Sequence, residues 1–497
     1  MRLSATVICL SALAGLAPAA SHAADACTSM LQRLKSQLAD ATCFESADLT
    51  TTNPATTPAN DSLPGLPPFA FTPQTDRATI APSAAKREPI TKVVPGLQIQ
   101  ARIASDPLGQ ARFLLRLPND WNGRLVVAGA SGTRSEFNGD FAWSDYLLQK
   151  GYAYASQNKG TLNLRLSTAA DPQACRLNPT SQTYVAFYDN DPGQSFARWQ
   201  ATMLKAAQVA KMGVAVRYGK TPRYTYGVGT SNGGYQVRRA IELAPALFDG
   251  GVDWEGTFVD EGGPNLLTDL PPPLLNLPDT PPPYDLNGTA AKNILAAGYP
   301  PDITAGAVSL WKNNWNQFWE VTMCQWQKRL DPSYDTYGAG LANYNYYARL
   351  SGSDVGSELA AFATTGRIQR PLVTVAGTLD ALLPIDHHAR AYARKVEAQL
   401  SSRNDDDDHD RDRGRDRGKN RPAYRLYEVQ NGNHIETYQD TLPQLELIER
   451  HAHAAFDALV AHVESNQPLP PNQCIPRGGA IAQQPVQAGH CASLLAP

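Results

Sequence analysis

An α/β fold built on a mainly parallel sheet is predicted by three features of this 497-residue sequence. Short apolar runs suited to strands buried on both faces recur along the chain: "LQIQARI", "ARFLLRLP", "RLVVAGA", "YAYASQ", "RYTYGVG", "GGVDWEG", "PLVTVAG" and "RLYEVQN". Amphipathic stretches lie between them, the clearest being "SFARWQATMLKAAQVAKMGVAVRYG", where Phe196, Trp199, Met203 and Ala206 fall three or four residues apart. The strand-then-helix order runs from about residue 97 to residue 465, as expected for a sheet with helices on both faces. In such folds function sits at the carboxyl ends of the strands.

Taken in order, residues 1–23 carry Arg2, an apolar run from Ala5 to Leu16, and small residues at Ser21 and Ala23. They read as a secretory signal cleaved after Ala23, too short for a membrane span. Residues 24–96 form an N-terminal arm: a short helical pattern, "TSMLQRLKSQLADA", then a Thr- and Pro-rich stretch with little periodicity. The regular fold is expected to start near Leu97, with its first part over 97–260. Residues 261–365, with "LPPPLLNLPDTPPPYD" and then an aromatic run, break the alternation and read as an inserted lid. Its second part covers 366–465, and 466–497 form a C-terminal tail. Within the second part, "SRNDDDDHDRDRGRDRGKNR" (402–421) is nearly all charged, cannot bury apolar surface, and is expected to be disordered. Asp405 to Asp408 lack the spacing of a calcium loop.

The net charge of -3, from 44 basic and 47 acidic side chains, supplies no basic field and argues against nucleic acid as a partner. No later stretch is long and apolar enough to span a bilayer. Cys27, Cys43, Cys175, Cys324, Cys474 and Cys491 remain once Cys9 leaves with the signal, an even number that suggests disulfides in the periplasm or the medium. Nearness in sequence pairs Cys27 with Cys43 and Cys474 with Cys491, leaving Cys175 with Cys324; buried free thiols are the alternative. There is no C-x-x-C pair, and no metal or cofactor is expected.

The stretch "YGVGTSNGGYQVRRA" holds the pattern G-x-S-x-G around Ser231. A chain of this length contains that pattern by accident with a chance of roughly one in five, so its flanks decide. Arg223 to Val228 have strand composition, and Val237, Ala240, Ile241 and Ala244 recur at helical spacing before Pro245. A strand running into the serine and a helix leaving it would hold its hydroxyl exposed on a strained turn. Serine needs a histidine base oriented by a carboxylate. "PLVTVAGTLDALLP" places Asp380 just after a strand, and "YRLYEVQNGNHIETY" places His434 after the last one. Asp253 and Glu255 rival Asp380, with Asp386 behind them. His387, His388, His409, His451, His453, His462 and His490 read as surface or packing residues. Donors for an oxyanion are expected from the Asn232 N–H and from Gly129 or Ala130 in "GASGT", although that loop can also be a plain strand-to-helix turn.

The elbow, the later Asp and the final His together resemble the α/β-hydrolase superfamily over about residues 97–465. Within it, "SNGG", the V-x-N-x-x-H string Val429–His434 and "LPPNQ" (469–473) are similar to exported 3-hydroxybutyrate oligomer hydrolases. The tannase and feruloyl esterase group is a further relative, but it carries cysteines beside the nucleophile and the histidine, where this chain has Thr230, Asn433 and Ile435. The resemblance implies a serine hydrolase that cleaves a small or oligomeric carboxylic ester through an acyl-enzyme, hydroxyalkanoate oligomers being one candidate. Alternatives are an aromatic esterase of the feruloyl or tannase kind, a peptidase or amidase using the same triad, and a catalytically inactive binding protein. Trp311, Trp315, Phe318, Trp319 and Trp326 recur at helical spacing in the lid. Trp311, Trp315 and Trp319 are expected either to wall the substrate pocket or to pack the lid on the body, with Tyr334, Tyr337, Tyr344, Tyr346 and Tyr347 extending either role.

Overall fold

The computed structural model describes residues 19–57, 82–132, 135–161, 165–186, 196–410 and 422–496. Its main sheet has eleven strands: β1 Leu38–Ser46, β2 Gly96–Ile103, β3 Arg112–Pro118, β4 Arg124–Ala128, β5 Ala153–Gln157, β6 Tyr224–Thr230, β7 Gly250–Trp254, β8 Leu372–Gly377, β9 Tyr424–Val429, β10 Gln473–Ile475 and β11 Gln487–Ala488. They lie in the order β1-β2-β3-β5-β4-β6-β7-β8-β9-β10-β11. From β5 to β10 every neighbouring pair is parallel, while the pairs at both flanks are antiparallel. This is the α/β-hydrolase fold, with strand order crossing over at β5-β4-β6.

Period-2 alternation sends successive residues of the central strands into two cores. Leu125, Val127, Leu372 and Ala376 face one side, where they meet Met203, Ala206, Val237 and Ile241 of helices Ala197–Tyr218 and Asn232–Leu243. Val126, Val228, Val252, Val373 and Val375 face the other, where they meet Trp143, Leu147, Phe456 and Leu459 from helices Asp145–Gln149 and Glu449–Ser465 and the turn before the first of these. Burial on both faces is why these strands read as unbroken apolar runs.

All eight predicted strands form, but three expectations outside them are corrected. The helical pattern at 28–41 ends early: the helix is Ala19–Leu34, and the chain turns into β1, which pairs antiparallel with β2 from Leu38↔Ile103 to Ser46↔Gly96. The regular fold therefore starts well before Leu97, because a distant strand rather than local periodicity selects the conformation. Residues 402–410 of the charged segment continue the helix Ala389–Asp410 instead of looping out; the rest of that segment lies outside the described residues, as do the signal up to residue 18 and arm residues 58–81. Finally, a small sheet of Arg165–Ser167, Ala174–Arg176 and Tyr184–Ala186, read as body, joins the lid. Cys175 is bonded to Cys324, Arg176 Nε donates to Glu320 Oε1 at 2.7 Å, and Lys328 Nζ donates to the Pro172 carbonyl at 2.8 Å. The other two disulfides, Cys27–Cys43 and Cys474–Cys491, follow the pairing expected from nearness.

The insertion read as a lid is helical, its longest α-helices being Pro271–Asn276, Thr289–Ala296, Glu320–Leu330 and Val355–Phe362. Its core includes Trp311, Trp319, Met323 and Trp326, and it continues into Leu379, Ala381, Leu382 and Ile435 of the body. Lid and body thus meet at the carboxyl ends of β8 and β9.

Candidate active site

Strand β6 drives the chain into Ser231, which adopts φ 59° and ψ -126° before helix Asn232–Leu243 begins. A non-glycine residue with positive φ is strained, and close packing enforces the turn. A methyl group on Gly233 would come within 2.6 Å of the Gly129 carbonyl oxygen, and one on Gly229 within 2.3 Å of the Gly233 oxygen. Only glycines let strand, helix and the neighbouring loop approach this closely. The Ser231 N–H donates to the Trp254 carbonyl at 2.9 Å, which binds the turn to the end of β7.

Asp380 lies three residues past β8 and His434 five past β9, both buried. His434 Nδ1 and Asp380 Oδ2 are 2.8 Å apart, while Asp380 Oδ1 accepts the N–H groups of Leu382 at 2.8 Å and Leu383 at 2.7 Å. A carboxylate fixed by two backbone donors holds the imidazole in one orientation, with the proton on Nδ1. Ser231, Asp380 and His434 therefore sit at the carboxyl ends of β6, β8 and β9.

Of the rival acids, Asp253 is absorbed elsewhere. It pairs with Arg238 in a fully buried ion pair and accepts from Thr374 Oγ1 at 2.9 Å and Gly256 N at 2.7 Å. Asp386 pairs with Arg390 near the surface, at 3.1 Å. Glu255 is different: its Oε2 lies 3.6 Å from His434 Nδ1, and Oε1 accepts the Gly377 N–H at 3.0 Å. Burial, reinforced by the charge of Asp380, holds the Glu255 carboxyl well above the usual carboxylate range. Glu255, Asp380 and His434 present ligand atoms within 4.8 Å of one another, the one metal-capable group among the described residues.

The loop after β4 departs from expectation. The Gly129 N–H donates to the Val228 carbonyl at 2.8 Å, continuing the β4-β6 ladder, and the Ala130 N–H donates to Gln236 Oε1 at 2.9 Å. Neither N–H is free to meet an oxyanion in this conformation, which corrects both assignments. The loop is instead braced from behind: Gln236 also bonds Gln157 and the Trp199 carbonyl, Lys159 Nζ donates to the Ala130 carbonyl at 3.3 Å, and Asn138 Oδ1 accepts the Ser131 N–H at 2.9 Å. Sequence reasoning missed these braces, because nothing local to Gln236, Lys159 or Asn138 marks them. Asn232, by contrast, opens its helix, and first-turn N–H groups have no intrahelical acceptor.

The aromatic stripe of the lid also splits. Trp311 and Trp319 are fully buried, donating through Nε1 to the Pro300 carbonyl at 2.9 Å and the Ala381 carbonyl at 2.8 Å. They have no surface left for a substrate, so the expectation of a pocket wall is corrected for both. A π-helical turn over Trp315–Trp319 breaks the 3.6-residue period and leaves Trp315 half-buried under Lys312, whose Nζ sits 3.7 Å from its ring centre. The tyrosines follow: Tyr344 and Tyr346 are buried, with hydroxyls donating to Asp331 and to the Glu261 carbonyl, whereas Tyr347 is exposed.

Residues 348–494 match the family model described as 3HB-oligomer hydrolase (3HBOH). This segment contains Asp380 and His434 and excludes Ser231. Among curated proteins, the chain is 32% identical over 149 residues to a D-(-)-3-hydroxybutyrate oligomer hydrolase of Ralstonia pickettii, covering 27% of this chain and 18% of that protein. It is 27% identical to the mono(2-hydroxyethyl) terephthalate hydrolase of Piscinibacter sakaiensis, covering 28% of this chain and 22% of that one. The matches thus span about a fifth of the length of these relatives. Solved structures similar to the chain include an esterase and feruloyl esterase B of Aspergillus oryzae, each at 12% identity, with TM-scores of 0.49 and 0.48. They cover 90% of this chain and 90% and 91% of their own. The chain has the α/β-hydrolase fold, and its C-terminal part is similar to the 3HB-oligomer hydrolases.

Proposed function

We propose that this protein is a serine hydrolase that cleaves carboxylic esters through an acyl-enzyme, with Ser231 as nucleophile, His434 as general base and acid, and Asp380 as the carboxylate that orients the imidazole. The observation that carries the proposal is the 2.8 Å Asp380–His434 hydrogen bond at the same carboxyl edge of the sheet as the strained Ser231 turn. With Asp380 on Nδ1, Nε2 of His434 is left to take the Ser231 proton as Oγ attacks the ester carbonyl. The negative charge that develops on the carbonyl oxygen is met by the Asn232 N–H at the start of its helix. His434 then returns the proton to the departing alcohol, and a water activated by the same imidazole hydrolyses the acyl-enzyme to the carboxylic acid.

The family match over 348–494 supports hydroxyalkanoate oligomers as the substrate class. Thr230, whose Oγ1 accepts the Trp143 Nε1–H at 3.3 Å, and Asn433 and Ile435 beside the histidine speak against the disulfide-linked tannase arrangement. Three disulfides support an exported protein, and no helix among the described residues is long and apolar enough to cross a membrane. The test is a hydrolysis screen over 3-hydroxybutyrate oligomers, hydroxycinnamate esters, p-nitrophenyl esters and peptides, with organophosphonate labelling of Ser231 alongside. Ester turnover with labelling is expected. Peptide turnover alone would shift the assignment to an amidase, and an unlabelled, inactive protein would favour a binding role.

A further inference from the structure

Two adjacent parallel strands end in the same unusual way. Ser231 closes β6 with φ 59°, and Glu255 closes β7 with φ 51°, both buried non-glycine residues in left-handed conformation. Such strain persists only where the surroundings impose it. Around Glu255 they do so through its N–H on the Val375 carbonyl at 2.8 Å, its Oε1 on the Gly377 N–H at 3.0 Å, and the Gly256 N–H on Asp253 Oδ1 at 2.7 Å. This leaves Oε2 buried without a hydrogen-bond partner, 3.6 Å from His434 Nδ1. His434 therefore has two carboxyl groups at one ring nitrogen: Asp380 in contact, from the loop after β8, and Glu255 slightly beyond contact, from the end of β7.

We infer that Glu255 is a second positioning carboxyl for His434, standing beside Asp380 and able to orient the imidazole when Asp380 is neutral or absent. The inference rests on the triad proposed above. Two carboxylates this close do not both ionise readily. While Asp380 carries the charge, Glu255 stays neutral, and its Oε1 still accepts from Gly377. Remove the Asp380 charge, and Glu255 loses its proton to solvent and accepts the Nδ1–H instead, after a shift of about 1 Å to hydrogen-bond distance. The charged and titratable groups that face Glu255 are Asp380, His434 and Glu436, the last two residues beyond the histidine.

The test compares Asp380→Asn with the double variant Asp380→Asn/Glu255→Gln, reading kcat, KM and their pH profiles on a p-nitrophenyl ester. Glutamine keeps the Oε1 acceptor for Gly377 and removes only the charge, so a purely structural role predicts no difference between the variants. Loss of a triad carboxylate costs ~10⁴-fold in kcat in the serine-protease template. Asp380→Asn is expected to fall only ~10²-fold, with KM little changed and a rate that rises with pH as Glu255 ionises; the double variant is expected to fall ~10⁴-fold and lose that rise. Equal losses in the two variants, or a deep loss in Asp380→Asn alone, would overturn the inference. If the double variant does not fold, Asp380→Asn/Glu255→Asp replaces it: the shorter side chain withdraws the carboxyl from Nδ1, and activity equal to Asp380→Asn again counts against the inference. Ser231→Ala and phosphonate labelling run in parallel. Turnover surviving in Ser231→Ala sinks the triad itself, whereas a dead Ser231→Ala with equal Asp380 variants sinks only the role of Glu255.

Discussion

At the carboxyl edge of the sheet, Ser231, Glu255, Asp380 and His434 all lie within five residues of a strand end, and parallel neighbours place those ends side by side. Residues 261–365 have no such ladder and are held by side-chain contacts and a disulfide instead. Cys175 meets Cys324 from 149 residues away, Trp319 reaches Ala381, and Asp269 reaches His387. The first region inherits its geometry from the ladder, so changing one side chain there alters chemistry and leaves the scaffold standing. In the second, the contacts are the scaffold, so a change there alters stability or docking first and chemistry only through it.

The largest expected effect breaks the comparison on the chemical side. Ser231→Ala should lower ester turnover by at least about 10⁴-fold while circular dichroism and the melting temperature stay close to those of the parent, since the hydroxyl holds up no core. A melting transition that collapses along with activity would mean that the strained turn is a structural element and that the two regions are not separable. The next effect comes from the lid. Replacing Cys175 and Cys324 together by Ser opens a loop of 149 residues, for which chain entropy sets an upper figure of about 5 kcal/mol. Loss of lid order is expected, measurable as early proteolysis within 261–365, with phosphonate labelling of Ser231 retained. Unchanged proteolysis would show that packing alone holds the lid.

The tryptophans sharpen the contrast within the lid. Trp319→Ala removes a fully buried ring and leaves the Ala381 carbonyl without its donor, at a cost of about 3–5 kcal/mol. Trp315→Ala removes a half-buried ring, and its cost should stay below about 1 kcal/mol. If Trp315→Ala instead raises KM for an ester with a bulky acyl group while stability holds, the half-buried ring is the part of the stripe that meets substrate. Equal stability losses from the two variants would deny that the π-helical turn separates their roles.

How much of this was legible in sequence follows from the same contrast. The eight central strands, the serine turn, Asp380 and His434 could be read because apolar runs, small residues in a turn and a polar residue just past a strand are local signals. β1 could not be read, since its partner lies some sixty residues on and its own pattern resembles the end of the preceding helix. The segment 165–186 reads as body in sequence because everything that ties it to the lid, the Cys175–Cys324 disulfide and the Arg176–Glu320 and Lys328–Pro172 hydrogen bonds, joins residues more than 140 positions apart. Glu255 stood among the candidate acids, but that it shares a ring nitrogen with Asp380 depends on the spacing of β7 and β8, which no local pattern carries. The braces on the loop after β4 were invisible for the same reason: Gln236 and Lys159 act on a loop from another strand.

The smallest expected effect concerns pH and tests whether lid docking is electrostatic as well as apolar. Asp269, in the lid helix Leu266–Asp269, meets His387 Nδ1 at 3.0 Å and His388 Nε2 at 3.2 Å on the body. Burial works against the His387 imidazolium, but the hydrogen bond and charge of Asp269 outweigh it and raise its pKa. Burial likewise opposes the Asp269 carboxylate, and the two histidines outweigh it to lower its pKa. His388 goes the other way, since burial keeps it neutral. A raised histidine pKa means that the folded protein holds a proton the unfolded chain gives up. The His387 contribution is therefore complete below the ordinary histidine value of about 6.5 and is lost as pH rises through the raised one. Asp269 sets the lower limit: its contribution is present above about 4 and is lost as pH falls through its lowered value. His387→Gln should cost up to about 1 kcal/mol at pH 5–6 and progressively less toward pH 9, read as the gap between parent and variant melting temperatures. A gap independent of pH would show that His387 docks the lid by shape and neutral hydrogen bonding alone, without a contribution from its charge.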